Sequence, residues 1–391
     1  MRYTCLLYTS EIQLSARDTA RDFAEKRLLP GVIERDKNMT FPKDLVGEMS
    51  AIGLMGMMVH TEYHGGGMDM ISYVLAIEEL AKIDASAAVI MSVNNSLVCH
   101  GLQLYGNEYQ KDKYLKKLAT GEWIGSFCLS EPEAGSDAAN LKTTCEDKGD
   151  HYLLNGTKNW ISNGDRSDIH LVLANGHPSL GHKGINTLIV ERNWKGVTIG
   201  PKEDKMGIRA SDTTSITYEN VIVPKVNRIN EEGHGFKFAL NTLDGGRIGI
   251  AAQAIGIAQG AYERALKYSR ERIAFGKPIF EHQTIQFKLA EMASEIESAR
   301  LLVHRAAWLK DNHREYATAA AVAKYTAAEM AMKQTTEALQ IHGGYGYVRE
   351  YHVERMMRDA KITQIYEGTS EIQQMVISRD LLKGNLYPAI Y

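Results

Sequence analysis

Cysteine is scarce in this chain of 391 residues: there are four, Cys5, Cys99, Cys128 and Cys145, with no paired spacing among them. They read as reduced thiols in a cytoplasm-like compartment rather than as a disulfide framework. Excess charge of either sign is also missing. The formal net charge is −3, from 45 Lys and Arg against 48 Asp and Glu, and no basic block advertises nucleic acid or an anionic membrane surface. Long apolar runs are absent as well. Near the N-terminus Cys5-Leu6-Leu7 is too short for a signal peptide or a membrane span. No Walker A loop occurs, and no G-x-G-x-x-G opens a helix after a strand, which argues against a Rossmann-type nucleotide site. His60-Thr61-Glu62-Tyr63-His64 places its acid one position late for a zinc helix and runs into Gly65-Gly66-Gly67, so it reads as a loop and no metal is expected. These exclusions leave a soluble intracellular chain, long enough for two or three domains.

Three regions of different periodicity follow. Residues 1–122 read as a helical domain. Ser10 and Gln13 fit a capping box, and Ile12, Ala16, Ala20, Phe23 and Ala24 form one apolar stripe. Pro30 ends that helix, and Pro42 suits the first turn of the next, which stops near Gly53. Further helices are predicted over 68–82, 85–105 and 108–119. Residues 123–230 change to short β-favouring runs between the turn signals Asn155-Gly156, Asn163-Gly164 and Asn175-Gly176. A small antiparallel barrel or sandwich is the natural inference. Residues 231–391 return to long, Ala-rich helices over 236–272, 284–310 and 316–342, with a shorter one over 371–383. Short connections between them predict a four-helix bundle. The fold class is therefore α+β: α bundle, β domain, α bundle.

Near the C-terminus, after the polar run 358–361, stands Ile365-Tyr366-Glu367-Gly368-Thr369-Ser370-Glu371. A carboxylate beside a glycine, with hydroxyls following, suits proton abstraction where backbone can approach a ligand closely. Five more motifs precede it in order: residues 127–137 (FCLSEPEAGSD), Asn159 to Gly164 (NWISNG), Asp204 to Gly207 (DKMG), Arg272 to Gly276 (RIAFG) and Gln340 to Gly344 (QIHGG). As a set they resemble the acyl-CoA dehydrogenase family, and the likeness runs from about Glu11 to Gly384. Residues 243–249 (LDGGRIG) and 91–97 (MSVNNSL) are most similar to its short-chain, butyryl-CoA branch. The first ten residues do not resemble the family's usual start and are given no function.

The resemblance implies FAD-dependent α,β-dehydrogenation of a short-chain acyl-CoA, butyryl-CoA to crotonyl-CoA or the reverse. Electrons would pass to electron-transfer flavoprotein. Glu367 is then the base that takes the α-proton, while the β-hydrogen leaves as hydride to flavin N5. The thioester oxygen would accept hydrogen bonds from the flavin ribityl 2′-hydroxyl and the Glu367 N–H, donors of the kind that stabilise a developing enolate. Some branches carry the base on the helix at the position of Gly246, which here has no side chain. Asp244, Gly245, Gly246, Arg247 and Gly368 are implied as substrate contacts. Ser92, Asn94 and Asn95 are implied as the pocket floor.

For the flavin the likeness implicates Phe127, Leu129, Ser130, Ser136, Trp160, Ile161 and Ser162, with Ser136 also reaching the CoA. Arg272, Phe275, Gln283, Gln340, Gly343 and Gly344 would hold the ADP half of a neighbouring subunit's FAD, and Thr369 and Glu371 would touch FAD after the base. His342 departs from the apolar residue common at its position. A homotetramer in the cytoplasm, without membrane insertion, is the expected state. Two other readings fit the same family: a 2-methyl-branched acyl-CoA dehydrogenase or oxidase variant, and a flavin-binding relative without dehydrogenase activity.

Overall fold

The computed structural model describes residues 9–384; the opening segment given no function, Cys5 included, lies almost wholly outside them. Helices α1 (Glu11–Phe23), α2 (Val32–Lys37), α3 (Lys43–Ala51), α4 (Met70–Ala81), α5 (Ala85–Ser92), α6 (His100–Tyr105), α7 (Glu108–Gln110) and α8 (Lys116–Thr120) build the first part. The capping box is present: Ser10 Oγ accepts from Gln13 N–H, and Gln13 Oε1 accepts from Ser10 N–H. The stripe differs at one end. Ile12 is 69% exposed, because the inward place in the first turn is taken by Gln13, whose amide donates 2.5 Å to Asp69, the N-cap of α4. Pro42 stands just before α3 as its N-cap, and α2 is a helix that the periodicity does not announce. The predicted helix over 85–105 is continuous, but residues Val93–Cys99 form a π-helical segment. Such segments recur at functional sites.

The middle part holds β1 (Gly125–Cys128), β2 (Thr144–Asp147), β3 (His151–Ser162), β4 (Ile169–Asn175), β5 (Ile185–Glu191), β6 (Val197–Lys202), β7 (Thr213–Pro224) and β8 (Arg228–Ile229). They form one sheet in the order β6-β7-β3-β2-β4-β5-β8, with β1 on β4. Most pairs are antiparallel, but β1 runs parallel to β4 and β2 meets β4 in parallel at Thr144 and Asn175. The Asn155-Gly156 signal is not a turn. Both residues lie inside β3 at a register shift against β7, where Gly156 has φ +146° and Asn155 Oδ1 accepts from Asn220 N–H. A second shift, between Lys158 and Ile161, throws Trp160 into the left-handed region at φ +60°. Bulges re-aim side chains in this way.

Helices α9 (Gly235–Glu271), α10 (Gln283–Asp311), α11 (Ala317–His342), α12 (Val353–Thr363) and α13 (Ser370–Leu382) complete the chain. Between α9 and α10 a hairpin of β9 (Ile273–Ala274) and β10 (Lys277–Pro278) turns at Phe275 and Gly276, both at positive φ. The α9 helix packs on α10, α11 and α12, and also on α4 from the first part. Gly256 and Gly260 make that last contact possible: a Cβ at either would overlap the carbonyl of Glu78 or Lys82.

The polar run before Glu367 is the end of α12, and it ties all three parts together. Arg358 Nη2 meets Asp36 Oδ2 at 2.7 Å, and its Nη1 donates 2.9 Å to the Met206 carbonyl. Asp359 accepts from Ile208 N–H at 2.6 Å and pairs with Arg355, which also donates to the Ile83 carbonyl. The Arg355–Asp359 pair is buried, where removing one partner strands the other's charge. Arg355→Met should therefore cost about 3–5 kcal/mol in denaturant unfolding, and adding Asp359→Asn should recover part of that loss.

Candidate functional site

Between α12 and α13 the chain makes a turn through two consecutive left-handed residues, Glu367 at φ +52° and Gly368 at φ +92°. Gly368 adopts this freely; Glu367 does so only because its surroundings over-determine it. Lys324 Nζ donates 2.7 Å and Gln373 Nε2 2.9 Å to the Gly368 carbonyl, and Thr369 Oγ1 caps α13 by accepting from Ile372 N–H. The turn aims the Glu367 carboxylate at α9. A Cβ on Gly246 would collide with Glu367 Oε2, and Leu97 of the π-helical segment closes the same point. Although Glu367 as a residue is only partly buried, Oε2 is sealed from solvent and has no hydrogen-bond partner among the described residues. Burial lifts its carboxyl from 4.5 to about 7, with the nearby charges of Lys324 and Arg247 pulling the other way. A carboxyl raised toward 7, with one oxygen sealed and unpartnered, is equipped to take a proton from a weak carbon acid.

Around it α9 presents a graded surface. Arg247 is buried, with Nη1 2.6 Å from Asp244 and Nε without a partner. Thr242 Oγ1 and Lys310 Nζ, which lies 2.6 Å from the Cβ position of Gly245, are likewise sealed and unpaired. Buried polar atoms without partners are rare in folded chains, and here they line the residues implied to meet a CoA thioester. One turn further along, a Cβ on Gly249 would press on the Tyr73 hydroxyl, which is 2.9 Å from Ser92 Oγ. Beyond that, the Tyr366 hydroxyl bonds Gln253, whose amide donates 2.9 Å to the Ala85 carbonyl.

Asn94 and Asn95, expected at the pocket floor, spend their amides inside the fold. Asn94 Nδ2 donates to the Met55 and Leu118 carbonyls and its Oδ1 accepts from Gly125 N–H. Asn95 donates to Leu54 and Met91 carbonyls and accepts from Met57 N–H. Both amides are fully used as internal brackets. Of the three, Ser92 alone contacts the closure at Gly249.

A second group of implied residues gathers on the sheet. Phe127 leaves β1 half-buried and stacks on Phe238 at 6.2 Å. Trp160 is 59% exposed at its left-handed position, Ile161 is buried behind it, and Ser162 pairs with Thr213. The 129–131 segment is bolted to β3: Asn159 N–H donates to the Ser130 carbonyl, and the buried Lys158 donates to the Leu129 carbonyl and pairs with Glu131 at 2.7 Å. Ser136 lies apart, exposed on the loop that follows.

A third group stands at the opposite end of α9, roughly 35–40 Å from Gly246 at 1.5 Å per residue. Arg272, Gly343 and Gly344 line a cavity of about 610 Å³ with Tyr268, Tyr345 and Glu350. Cβ atoms on either glycine would meet nothing within 4 Å, so the backbone there is open to a ligand. Gln283 and Gln340 are exposed nearby in sequence, and Phe275, at the hairpin tip, is 96% exposed. His342 is turned inward: it is stacked on Tyr268 at 4.4 Å and its Nδ1 lies 2.8 Å from the Ala338 carbonyl. Burial lowers its pKa. Thr369 and Glu371 follow the turn, Glu371 exposed in the first turn of α13. The implied residues thus form separate groups within one chain. Sequence reasoning missed Lys324, Tyr73, Gln253 and Lys158, whose roles come from three-dimensional neighbours that no local motif reveals.

Among the described residues no His, Cys, Asp and Glu group could hold a metal ion, and no helix is long and apolar enough to cross a membrane. The residues present fit a flavin dinucleotide: an exposed indole beside ring-edge hydroxyls, and an open glycine cradle with an arginine.

Profiles of three successive domains match the chain: the acyl-CoA dehydrogenase N-terminal domain over residues 10–122, the middle domain over 126–221 and the C-terminal domain over 233–382. A relative in Clostridium acetobutylicum, a short-chain specific acyl-CoA dehydrogenase, is 47% identical over 94% of this chain and 97% of its own. The solved butyryl-CoA dehydrogenase of Megasphaera elsdenii shares 46% identity and superposes with a TM-score of 0.95, covering 98% of this chain and all of that one. A chain from structural work on the electron transferring flavoprotein of Acidaminococcus fermentans is 47% identical, with a TM-score of 0.95 over 98% of this chain and all of that one. With three domain matches in order over a shared fold, the chain belongs to the acyl-CoA dehydrogenase family of FAD-dependent oxidoreductases.

Proposed function

We propose that this protein dehydrogenates short-chain acyl-CoA thioesters at Cα–Cβ, converting butyryl-CoA to crotonyl-CoA, with Glu367 as the base. The observation that carries this reading is the sealed, unpartnered Glu367 Oε2 against the side-chain-free Gly246. Gly246 leaves no rival base on α9 and gives room for a thioester to lie across it. Glu367 Oε2 takes the α-proton, and the Glu367 N–H donates to the thioester oxygen as its charge grows. FAD, when bound against Trp160 and Ser162, supplies the acceptor for the β-hydrogen as hydride. Asp244 and Arg247 orient the CoA arm, and the unpaired Thr242 and Lys310 are further donors along its path. Expulsion of water by substrate raises the basicity of Glu367 further.

Chain length is set by how soon the space beside Glu367 closes. Gly249 lies about 4.5 Å along the helix from Gly246, and there the Tyr73–Ser92 contact already fills the gap. The Gln253–Tyr366 link stands one turn behind as a second stop. A short acyl chain fits this depth and a long one does not.

The roughly 35–40 Å along α9 from Gly246 to Arg272 exceeds the reach of one FAD. We infer that the cradle of Arg272, Gly343 and Gly344 serves the flavin of a neighbouring copy, and the exposed Phe275 and Tyr347 accord with such an interface. A homotetramer of paired dimers satisfies this arrangement. The likeness to the Acidaminococcus chain supports an electron-transfer flavoprotein as the acceptor.

Anaerobic titration of the yellow protein with butyryl-CoA tests the reading: the visible flavin absorption should bleach, and octanoyl-CoA should act much more slowly. Glu367→Gln should keep its FAD and bind the thioester, yet reduce the flavin about 10²–10⁴-fold more slowly; fast reduction in that variant would remove Glu367 from the role. The same substitution has an opposite effect on stability. A carboxyl raised from 4.5 to about 7 by burial favours the folded state fully below its unfolded pKa, and that contribution is lost as pH rises through 7. Glu367→Gln should therefore be more stable than the parent by about 3 kcal/mol at pH 8 and equal to it at pH 4, as read from thermal unfolding at the two pH values.

A further inference from the structure

The Lys324 side chain is wholly buried on α11, a costly place for an ammonium without compensation. Its compensation is specific: Nζ donates 2.7 Å to the carbonyl of Gly368, the residue after Glu367. A left-handed non-glycine residue costs on the order of 1–2 kcal/mol, and this bond braces the strained turn at its next peptide. The charges around the pair come from four places. Glu367 and Arg247, on the turn and on α9, both face Lys324, as do Glu329 on α11 and Glu371 at the start of α13. Facing Glu367 are Lys324 and Arg247, with the hydroxyls of Tyr73 on α4 and of Tyr366 held neutral by burial. Arg247 is already committed at 2.6 Å to Asp244, so its charge is largely spent. Of the two cations facing Glu367, Lys324 is the one whose ammonium is bonded to a carbonyl and not paired with a carboxylate.

We propose that Lys324 is a positioning residue for the reaction: through the Gly368 carbonyl it holds the Glu367 turn in its left-handed form, and its ammonium supplies the fixed positive charge that faces the Glu367 carboxylate. The inference rests on Glu367 as the base. It assigns a role to a residue on a different helix, 43 positions upstream of Glu367.

The pair has a pH signature. Burial lifts Glu367 to about 7 and depresses Lys324 to about 8, each partly restrained by the other. The two protons therefore belong to a coupled system. Below the first step the base is protonated; above the second the ammonium is lost, together with its charge and one of its donors. Productive free enzyme occupies the interval, so kcat/KM should be bell-shaped, with Glu367 on the acid limb and Lys324 on the alkaline limb.

The test compares the holoenzymes of Lys324→Gln and Lys324→Arg with the parent, measuring kcat/KM for butyryl-CoA from about pH 6 to about pH 10, with FAD content and thermal midpoint. Lys324→Gln keeps an amide donor but no charge; its acid limb should move up by about one unit, giving roughly fivefold lower kcat/KM at pH 7. Lys324→Arg keeps a charge that does not titrate in this range, so its alkaline limb should vanish while the acid limb stays. A merely structural lysine would lower the thermal midpoint and leave both limbs in place, and that result overturns the proposal. If Lys324→Gln does not fold, the alkaline limb of Lys324→Arg decides alone: its persistence overturns the proposal. The carboxyl carbon resonance of Glu367 in substrate-free holoenzyme, assigned with Glu367→Gln, separates the two levels. A titration shifted upward in Lys324→Gln supports the lysine's part even if Glu367→Gln retains flavin reduction and the base reading fails; an unshifted titration removes it.

Discussion

A carboxylate oxygen sealed from water with no hydrogen-bond partner destabilises the fold that contains it, and the rest of this structure is arranged around holding Glu367 Oε2 in that state. An unconstrained chain would relieve the cost by swinging the side chain out to solvent. Three features prevent this. The left-handed turn at Glu367 and Gly368 is pinned from behind by Lys324 and Gln373. The helix in front, α9, has glycine at the one place where any side chain would push the carboxylate away. The α12 helix that delivers the turn is tied through Arg355, Arg358 and Asp359 to both other parts of the chain. Strain of this kind persists only where surroundings over-determine it.

The same logic explains the middle sheet. An indole proposed to face a flavin is useful only if it cannot retreat into the core, where a tryptophan ordinarily goes. The bulge between Lys158 and Ile161 turns Trp160 outward, while the neighbouring Ile161 takes the core position. Lys158 lies in the bulged strand with its ammonium inside, bonded to the Leu129 carbonyl and Glu131. One strand therefore fixes both the exposed ring and the segment that carries Ser130. The buried ion pair adds definition more than stability, since such pairs often do no better than an apolar replacement.

Local chemistry made much of this readable before any coordinates. The Ser10–Gln13 box, the long Ala-rich helices and the turn after Asn163 depend on neighbours a few residues away, and they occur where the pattern places them. Asn155-Gly156 misleads because the dipeptide's tolerance of unusual φ serves a bulge as well as a hairpin. Ile12 misleads because Gln13 uses its amide twice, in the cap and on Asp69. Glu367 stands out in its motif, whereas Lys324 is one of two lysines in an Ala-rich helix. Its meaning depends on a carbonyl 44 positions away, and no periodicity encodes such a contact.

Opposing demands meet at α9. Glycine weakens a helix by about 1 kcal/mol relative to alanine, yet this helix of 37 residues carries glycines at 245, 246, 249, 256 and 260. At 256 and 260 they admit the α4 backbone, which returns packing energy for the lost propensity. At 246 no such return is available, because the neighbour is a carboxylate that gains nothing from contact. The helix keeps its length there through the packing of α10, α11 and α12 along it. Stability supplied along α9 thus maintains a destabilised site within it. The Glu367 carboxyl can stay raised by burial because the cost falls on a scaffold large enough to bear it.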